Sequence, residues 1–198
     1  MLTKAERTRK YIIERVAPIF NKNGYAATSM SDITQATGLT KGAIYGNFVN
    51  KEEIAIAAFN MNVSELLGRI AKHQEKGRTP LEKLFLITDF YRDYTEHYKD
   101  LGGCPILNIG VDANNQDTKL LERVQYVIEK TQNNIVKLVE WAKQAGEVFP
   151  DVDSKKFAKY LYTRIQGAIF MNATMNDISY LHDASDDIDN YIKRNLKK

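Results

Sequence analysis

Apolar residues recur along most of the chain at the three- and four-residue spacing of helices. In the first such segment Ile13, Val16, Ala17 and Phe20 fall on one side of a helix. Similar stripes follow as far as Leu196, and no run alternates convincingly between apolar and polar residues as a half-buried strand does. The pattern predicts an all-α protein of about nine helices.

Capping residues, glycines and prolines set the limits of these helices. Pro18 lies inside the first one, where the missing amide hydrogen is expected to kink or shorten the helix. Residues 76–80 have the composition of a turn. The nine predicted helices cover approximately residues 3–24, 29–37, 41–47, 51–73, 81–98, 104–112, 118–145, 153–175 and 177–196.

Residues 31–53 carry the most specific pattern, in which two short helices separated by a glycine turn lead into a longer helix. Ser29 and Asp32 have the spacing of a capping box, in which each side chain binds an amide beside the other. Gly38 is expected to take a positive φ at the turn, and Thr40 is expected to cap the next helix. This order of elements predicts a helix-turn-helix that enters a DNA groove.

The second short helix is only about two turns long and would be marginal by itself. It must be held by its neighbours, with Ile44 and Phe48 as the inward anchors. Asn50 and Glu53 repeat the capping arrangement at the start of the longer helix.

Two lysines lie where helix formation alone would not place them. Lys41 and Lys51 each lie in the first turn of a predicted helix, where a cation opposes the macrodipole by roughly 0.3–1 kcal/mol. A phosphate would reverse that sign, because free amides and an ammonium then converge on one anion. Taken singly, each lysine is explained as well by simple solvation, as are Arg7, Arg9 and Lys10 near the start of the chain. Lys41 and Lys51 together, on either side of a tyrosine and an asparagine, favour phosphate contact.

The residues between these lysines suit contact with a DNA groove. Gly42 and Ala43 are small, so that the helix backbone can approach base edges. Tyr45 can stack on a sugar and donate to a phosphate, although a half-buried core position is the alternative. Thr28 either reaches a phosphate or simply caps. The candidate DNA-contacting residues are Thr28, Thr40, Lys41, Gly42, Ala43, Tyr45, Asn47 and Lys51.

From about Lys10 to Ile54, the chain resembles the DNA-binding region of the tetracycline-repressor (TetR) family of bacterial transcription regulators. Asn47 departs from the family pattern, which often has His there, and Pro18 is unusual inside the first helix. The matching residues are Phe20, Gly24-Tyr25, Thr28-Ser29-Met30, Ile33, Ala36, Gly38-Leu39, Lys41-Gly42-Ala43-Ile44-Tyr45, Asn47-Phe48 and Lys51-Glu52.

The resemblance implies a homodimeric repressor that binds a palindromic double-stranded DNA operator and is released by a small-molecule effector. It implies a three-helix helix-turn-helix head over residues 1–50 and an effector-binding and dimerisation bundle over residues 51–198. The helix over 153–175 is apolar nearly all round and must be covered on both sides. A second copy of the chain is an economical cover, so we expect the dimer to form through residues 153–175 and 177–196.

The distribution of charge and the cysteine content bear on where the DNA-binding part lies and on the cellular compartment. Residues 1–60 hold eight Lys and Arg against five Asp and Glu, whereas the rest of the chain is balanced, so the whole net charge of +3 lies with the predicted head. With Cys104 as the one cysteine, no intrachain disulfide is possible. No segment approaches the roughly 18 apolar residues of a membrane helix, and no signal peptide is evident, so we expect a cytoplasmic protein.

Catalytic and metal-binding patterns are lacking, and we expect neither an enzyme nor a cofactor. The three histidines, His73, His97 and His182, lack metal-ligand spacing. Cys104 is expected to be a small buried hydrophobe rather than a nucleophile or redox sensor. Four aspartates near the C-terminus are expected to form a solvated helix face: Asp183, Asp186, Asp187 and Asp189.

Aromatic residues on several predicted helices indicate a ligand cavity in the C-terminal part. For any one of these residues, plain core packing is the alternative, and Tyr98 belongs to the same aromatic set. The candidate ligand-binding residues are Phe90, Tyr94, Cys104, Asn108, Tyr126, Trp141, Tyr162 and Gln166. Two other functions stay open: a helical small-molecule-binding protein without operator binding, and an enzyme that uses Cys104 with a distant His.

Overall fold

The computed structural model describes residues 2–94, 102–114 and 119–198, and the regular structure in these ranges is helical. The all-α prediction and its nine helices are confirmed for these residues. The helices are α1 (Lys4–Ala27), α2 (Met30–Thr37), α3 (Lys41–Tyr45), α4 (Lys51–Gln74), α5 (Pro80–Arg92), α6 (Pro105–Ala113), α7 (Lys119–Gln144), α8 (Ser154–Met175) and α9 (Ser179–Tyr191), followed by a π-helical segment (Ile192–Leu196). The predicted positions 95–98 and 118, with His97 and Tyr98, lie outside the described residues.

The capping boxes predicted at the starts of α1 and α2 are confirmed. The Glu6 amide donates to Thr3 Oγ1 at 3.2 Å, and the Thr3 amide donates to Glu6 Oε2 at 2.7 Å. Ser29 and Asp32 exchange the same pair of bonds at the start of α2. Gly38 ends α2 with φ of 67°, as the turn requires.

Helix α1 is interrupted at Gly24 rather than at Pro18. Pro18 is exposed and helical, and α1 continues past it as far as Gly24, so the predicted shortening at Pro18 is wrong. Its neighbour Ala17 faces inward, and the Ala17 carbonyl accepts a bond from Asn62 Nδ2 of α4 at 2.9 Å. Gly24 has φ of 83° and ψ of 172°, after which the chain resumes one helical turn.

The chain divides into two compact units. The first draws on Met1–Leu66 and Asp100–Val127, and the second on Leu67–Lys99 and Ile128–Lys198, so α4 and α7 each contribute to both. The predicted head over residues 1–50 lies within the first unit, which also holds the beginning of α4 and all of α6. Its largest fully buried side chains include Ile12, Phe20, Ile33, Ile44, Phe48, Ile54 and Phe59.

In the second unit, α9 packs against α5 and α8. Arg92 of α5 donates to Asp186 at 2.6 Å and to Asp189 at 2.8 Å. Asp187 is paired with Arg164 of α8. Asp183, Asp186 and Asp187 are exposed, as expected of a solvated helix face, whereas the Asp189 side chain is only 14% exposed, so the expectation is wrong for Asp189.

No helix in the described part of the chain is both long enough and apolar enough to cross a membrane.

Candidate functional site

Helix α3 is short and is held from one side. The Ala43 amide donates to Thr40 Oγ1 at 3.2 Å, which confirms Thr40 as the cap. Ile44 is fully buried and Phe48 is 2% exposed, so both predicted anchors are confirmed. A helix of five residues is unstable in isolation, and these contacts fix its position on the first unit.

The other side of α3 faces solvent. Lys41, Gly42 and Ala43 are exposed, and Tyr45 is 47% exposed, so it is half-buried against the first unit and half open to solvent. A Cβ added at Gly42 would meet nothing closer than Thr40 Oγ1 at 3.9 Å. The fold therefore does not require glycine there, although glycine costs about 1 kcal/mol in a helix relative to alanine. A partner molecule that closely approaches this side of α3 would explain why residue 42 is glycine.

Arg9 of α1 fastens the segment that follows α3. Its guanidinium donates to the Asn47 carbonyl and to Glu53 Oε1, each at 2.6 Å, and lies 4.0 Å from the centroid of the Phe48 ring. Arg9 is thus not the solvated residue that the sequence suggests. The contacts span 38 and 44 positions of sequence, so no local pattern signals them.

Asn47 and Thr28 are more constrained than the sequence suggests. Asn47 is half-buried, and its Nδ2 donates to the Ala43 carbonyl at 2.9 Å. Thr28 is fully buried, and its hydroxyl donates to the Gly24 carbonyl at 2.7 Å. Because that hydroxyl faces the interior, Thr28 is unsuited to a phosphate contact and we remove it from the candidate surface.

Lys51 begins α4 beside two acidic residues and an aromatic ring. Its Nζ lies 4.4 Å from the centroid of the Tyr25 ring. Partial burial lowers the pKa of Lys51, whereas the charges of Asp112 and Asp32 act in the opposite direction. An ammonium held in this way is preorganised at a helix N-terminus, where α4 amides can join it on an anion.

Helix α6 is joined to the break in α1 through Asp112. The amides of Tyr25 and Ala26 donate to Asp112 Oδ2 at 2.5 Å and 3.1 Å. A Cβ at Gly24 would lie 3.1 Å from the Asp112 carboxyl carbon. Asp112 therefore caps the helical turn that follows Gly24, and sequence reasoning missed it because nothing in its neighbourhood marks a partner 87 residues away.

A cavity of about 370 Å³ lies in the second unit, among α4, α5, α7 and α8. Three of the predicted ligand-binding residues, Trp141, Tyr162 and Gln166, line it. Sequence reasoning looked for aromatic residues and missed the aliphatic wall. That wall comprises Leu67, Ile70, Ile87, Ile135, Leu138, Leu161 and Ile165.

The other five predicted ligand-binding residues do not line this cavity. Phe90 and Tyr94 are buried in the second unit. Cys104, Asn108 and Tyr126 belong to the first unit. Cys104 and Asn108 lie at the start of α6, which packs on α1, and Tyr126 lies on α7. Asn108 Nδ2 donates to the carbonyls of Asn21 and Gly102, Cys104 is 1% exposed, and the ring of Tyr126 lies under the Arg123 guanidinium at 4.8 Å. The eight residues therefore do not form one site.

Clusters of three or more His, Cys, Asp or Glu side chains able to hold a metal ion do not occur in the described ranges.

A short exposed helix fixed behind a glycine turn, in a chain whose described residues are helical in their regular structure, is the arrangement of a helix-turn-helix DNA-binding regulator. The family model for "Bacterial regulatory proteins, tetR family" matches residues 12–58, and that for "Tetracyclin repressor-like, C-terminal domain" matches residues 80–188. The chain belongs to the TetR family of transcriptional regulators, and the function predicted from the sequence, DNA-binding transcriptional regulation, is confirmed.

Solved structures and curated proteins agree with this assignment. A TetR-family transcriptional regulator from Cytophaga hutchinsonii is 34% identical with a TM-score of 0.94, covering 100% of this chain and 99% of that one. A TetR transcriptional regulator from Chloroflexus aurantiacus is 32% identical with a TM-score of 0.91, covering 99% of each chain. The fatty acid metabolism regulator protein of Bacillus subtilis is 23% identical over 171 residues, which is 85% of this chain and 84% of that protein.

Proposed function

We propose that this regulator is a homodimeric repressor that binds a palindromic operator and leaves it when a small molecule enters the cavity of the second unit. The observation that carries the proposal is the solvent-facing side of α3, where small residues and a half-exposed tyrosine surround a lysine. As a regulator of bacterial DNA, it would act in the cytoplasm.

The DNA contacts divide by chemistry. Gly42 and Ala43 present little side chain, so the α3 backbone approaches base edges in the major groove. Tyr45 stacks on sugar or donates its hydroxyl to phosphate, and Lys41 and Lys51 bind phosphates. Thr40 and Asn47 lie at the two ends of α3, where their polar groups would adjoin the sugar-phosphate backbone of the DNA.

A second copy of the chain would cover the outer face of α8. Phe170 is 51% exposed and Met175 is 57% exposed, while Ile178, just before α9, is 37% exposed. Gly167, on the same face, leaves room for a close approach of another helix. Helices α8 and α9 of two chains would make a four-helix interface. Two heads related by a twofold axis imply an operator with matching half-sites.

The cavity is the proposed effector site. Ligand binding can release DNA only through different affinities for the DNA-bound and released states. Helix α4 is the candidate lever, because it begins at Lys51 and its later residues line the cavity.

Two other functions are less well supported. A small-molecule carrier without operator binding would have no use for the exposed face of α3. An enzyme that uses Cys104 would need an accessible thiol, and this thiol is buried.

Selection of genomic DNA fragments by the purified full-length protein tests the proposal. We expect enrichment of fragments that share an inverted repeat, with half-sites about one helical turn apart or a multiple of it. Enrichment of a non-symmetric sequence would contradict the twofold arrangement. Fragments retained without any common sequence would contradict operator binding.

A further inference from the structure

The cavity of the second unit has an apolar interior and a charged rim. Its inner wall is formed by buried side chains such as Leu161 and Ile165, each 2% exposed. Trp141 also lines the cavity and is 55% exposed, so it lies at the opening. A ligand that fills this space would bury one end and leave the other end near water.

The charges at the rim are unequal. Lys83 and Lys137 line the cavity together with one carboxylate, Glu75. Glu75 and Lys137 are exposed and Lys83 is half-buried. Within the described ranges, neither ammonium has a carboxylate at ion-pair distance, in contrast to Lys143 on the same helix as Lys137, which pairs with Glu140 at 3.0 Å. An anionic group at the opening would complement two cations that the fold does not otherwise use.

The volume limits the apolar part of the ligand. The cavity holds about 370 Å³, which is the liquid volume of roughly twelve water molecules at about 30 Å³ each. A saturated chain of about ten carbons is of that order. Each methylene buried on binding improves affinity about fourfold, so the apolar body supplies most of the affinity and the rim supplies selectivity.

We propose that the cavity binds an anionic amphiphile whose apolar body lies among the aliphatic residues and whose carboxylate-like group is held between Lys83 and Lys137. This assignment names the chemical class of the effector and therefore rests on the proposed function of the cavity.

The single tryptophan of the chain provides the measurement. Trp141 fluorescence is titrated with three probes that share one alkyl chain: decanoate, decanol and decyltrimethylammonium. We expect decanoate to bind about fivefold more tightly than decanol, because each exposed charge contact contributes only modestly. Decyltrimethylammonium should bind most weakly.

Substitutions locate the selectivity. The combined changes Lys83→Met and Lys137→Met keep the aliphatic stems and remove both charges, so decanoate and decanol should then bind equally. Lys130→Met removes the same charge from an exposed position of α7 that does not line the cavity, and it should leave the preference for decanoate intact.

Several outcomes would overturn the inference. Equal affinity for decanoate and decanol in the natural protein would remove the role of the rim charges, as would a preference for decanoate that survives the double substitution. No change in Trp141 fluorescence with any of the three probes would contradict the proposal that the cavity binds an apolar ligand.

Adding decanoate to the operator complex separates this inference from the proposed function. Binding of decanoate with the expected selectivity but without DNA release would uphold the ligand chemistry and contradict the effector role of the cavity. Operator binding with no response of Trp141 to any probe would contradict the ligand chemistry and leave operator recognition standing.

Discussion

At the scale of single residues, Arg9 and Glu53 decide whether α3 is held in place. Glu53 accepts from the Val49 amide at 2.7 Å and from the Arg9 guanidinium at 2.6 Å. The Val49 hydrogen bond first, and then the Arg9 hydrogen bond, lower the pKa of Glu53 below its usual value of 4.5. One carboxylate therefore links α1, the loop after α3 and the start of α4.

Because of this contact, we expect the stability of the first unit to decrease as the pH falls into the acidic range. A group whose folded pKa is lowered stabilises the protein above its unfolded pKa, and that contribution is lost as the pH falls through the folded pKa. Glu53→Gln should therefore lower the urea midpoint of unfolding at about pH 7 and reduce its decline towards about pH 3.

Glu129→Gln, at an exposed position of α7, is the matched control and should leave the pH profile unchanged. If Glu53→Gln has the same pH profile as the natural protein, the carboxylate does not hold the loop.

Residues with partners nearby in sequence could be predicted, and those with distant partners could not. The capping contacts of Thr3, Ser29 and Thr40 join positions three apart, so the spacing alone reveals them. Arg9 and Asp112 find their partners through packing of separate helices, which no local pattern contains. Thr28 is an exception, because its acceptor, the Gly24 carbonyl, is only four residues away. What the local sequence does not reveal is that the Thr28 side chain is buried.

At the scale of elements, the break in α1 accommodates only glycine. Gly24 needs a positive φ, and the Asp112 carboxylate occupies the space in which a side chain would begin. Asp112 then caps the following turn from α6. The end of α1 and the position of α6 are thus fixed by the same contact.

Two glycine substitutions should move stability in opposite directions. Gly24→Ala should destabilise the protein by about 1–3 kcal/mol, because alanine resists the positive φ and crowds Asp112. Gly68→Ala, in the middle of α4 with nothing within 4 Å of the added Cβ, should stabilise it by about 0.5–1 kcal/mol. Urea unfolding followed by circular dichroism measures both. A Gly24→Ala protein as stable as the natural one would contradict this account of the break.

The apolar spacing predicted which segments form helices better than it predicted which helices pack against each other. Each of the nine predicted helices has its counterpart, because helical spacing is a local property. The partner of α6 was not predictable, since an apolar stripe shows that a face is covered and does not show by what. A cavity does lie in the C-terminal part of the chain, and three of the eight residues proposed for ligand binding line it.

At the scale of the whole molecule, the exposed face of α8 is the proposed contact between two chains. Phe170→Glu would place a carboxylate in that contact, where an unpaired charge loses its hydration. We expect the protein to sediment as a monomer at concentrations at which the natural chain is a dimer. Phe149→Glu changes a 41% exposed aromatic residue in the loop between α7 and α8 and should leave the dimer intact. If Phe170→Glu remains dimeric, another surface joins the chains.

The central claim is that the outer face of α3 and the start of α4 bind DNA, and the salt dependence of operator affinity tests it most directly. Affinity is measured by fluorescence anisotropy on a selected fragment for the natural protein and for Lys51→Met, Tyr45→Ala and the control Lys130→Met. Each phosphate contact adds about one to the slope of log affinity against log salt.

We predict that Lys51→Met reduces this slope by about one per head and weakens binding to all sequences alike. Tyr45→Ala should lose operator affinity while remaining a dimer, and Lys130→Met should match the natural protein. An unchanged slope for Lys51→Met together with full operator affinity for Tyr45→Ala would contradict the claim.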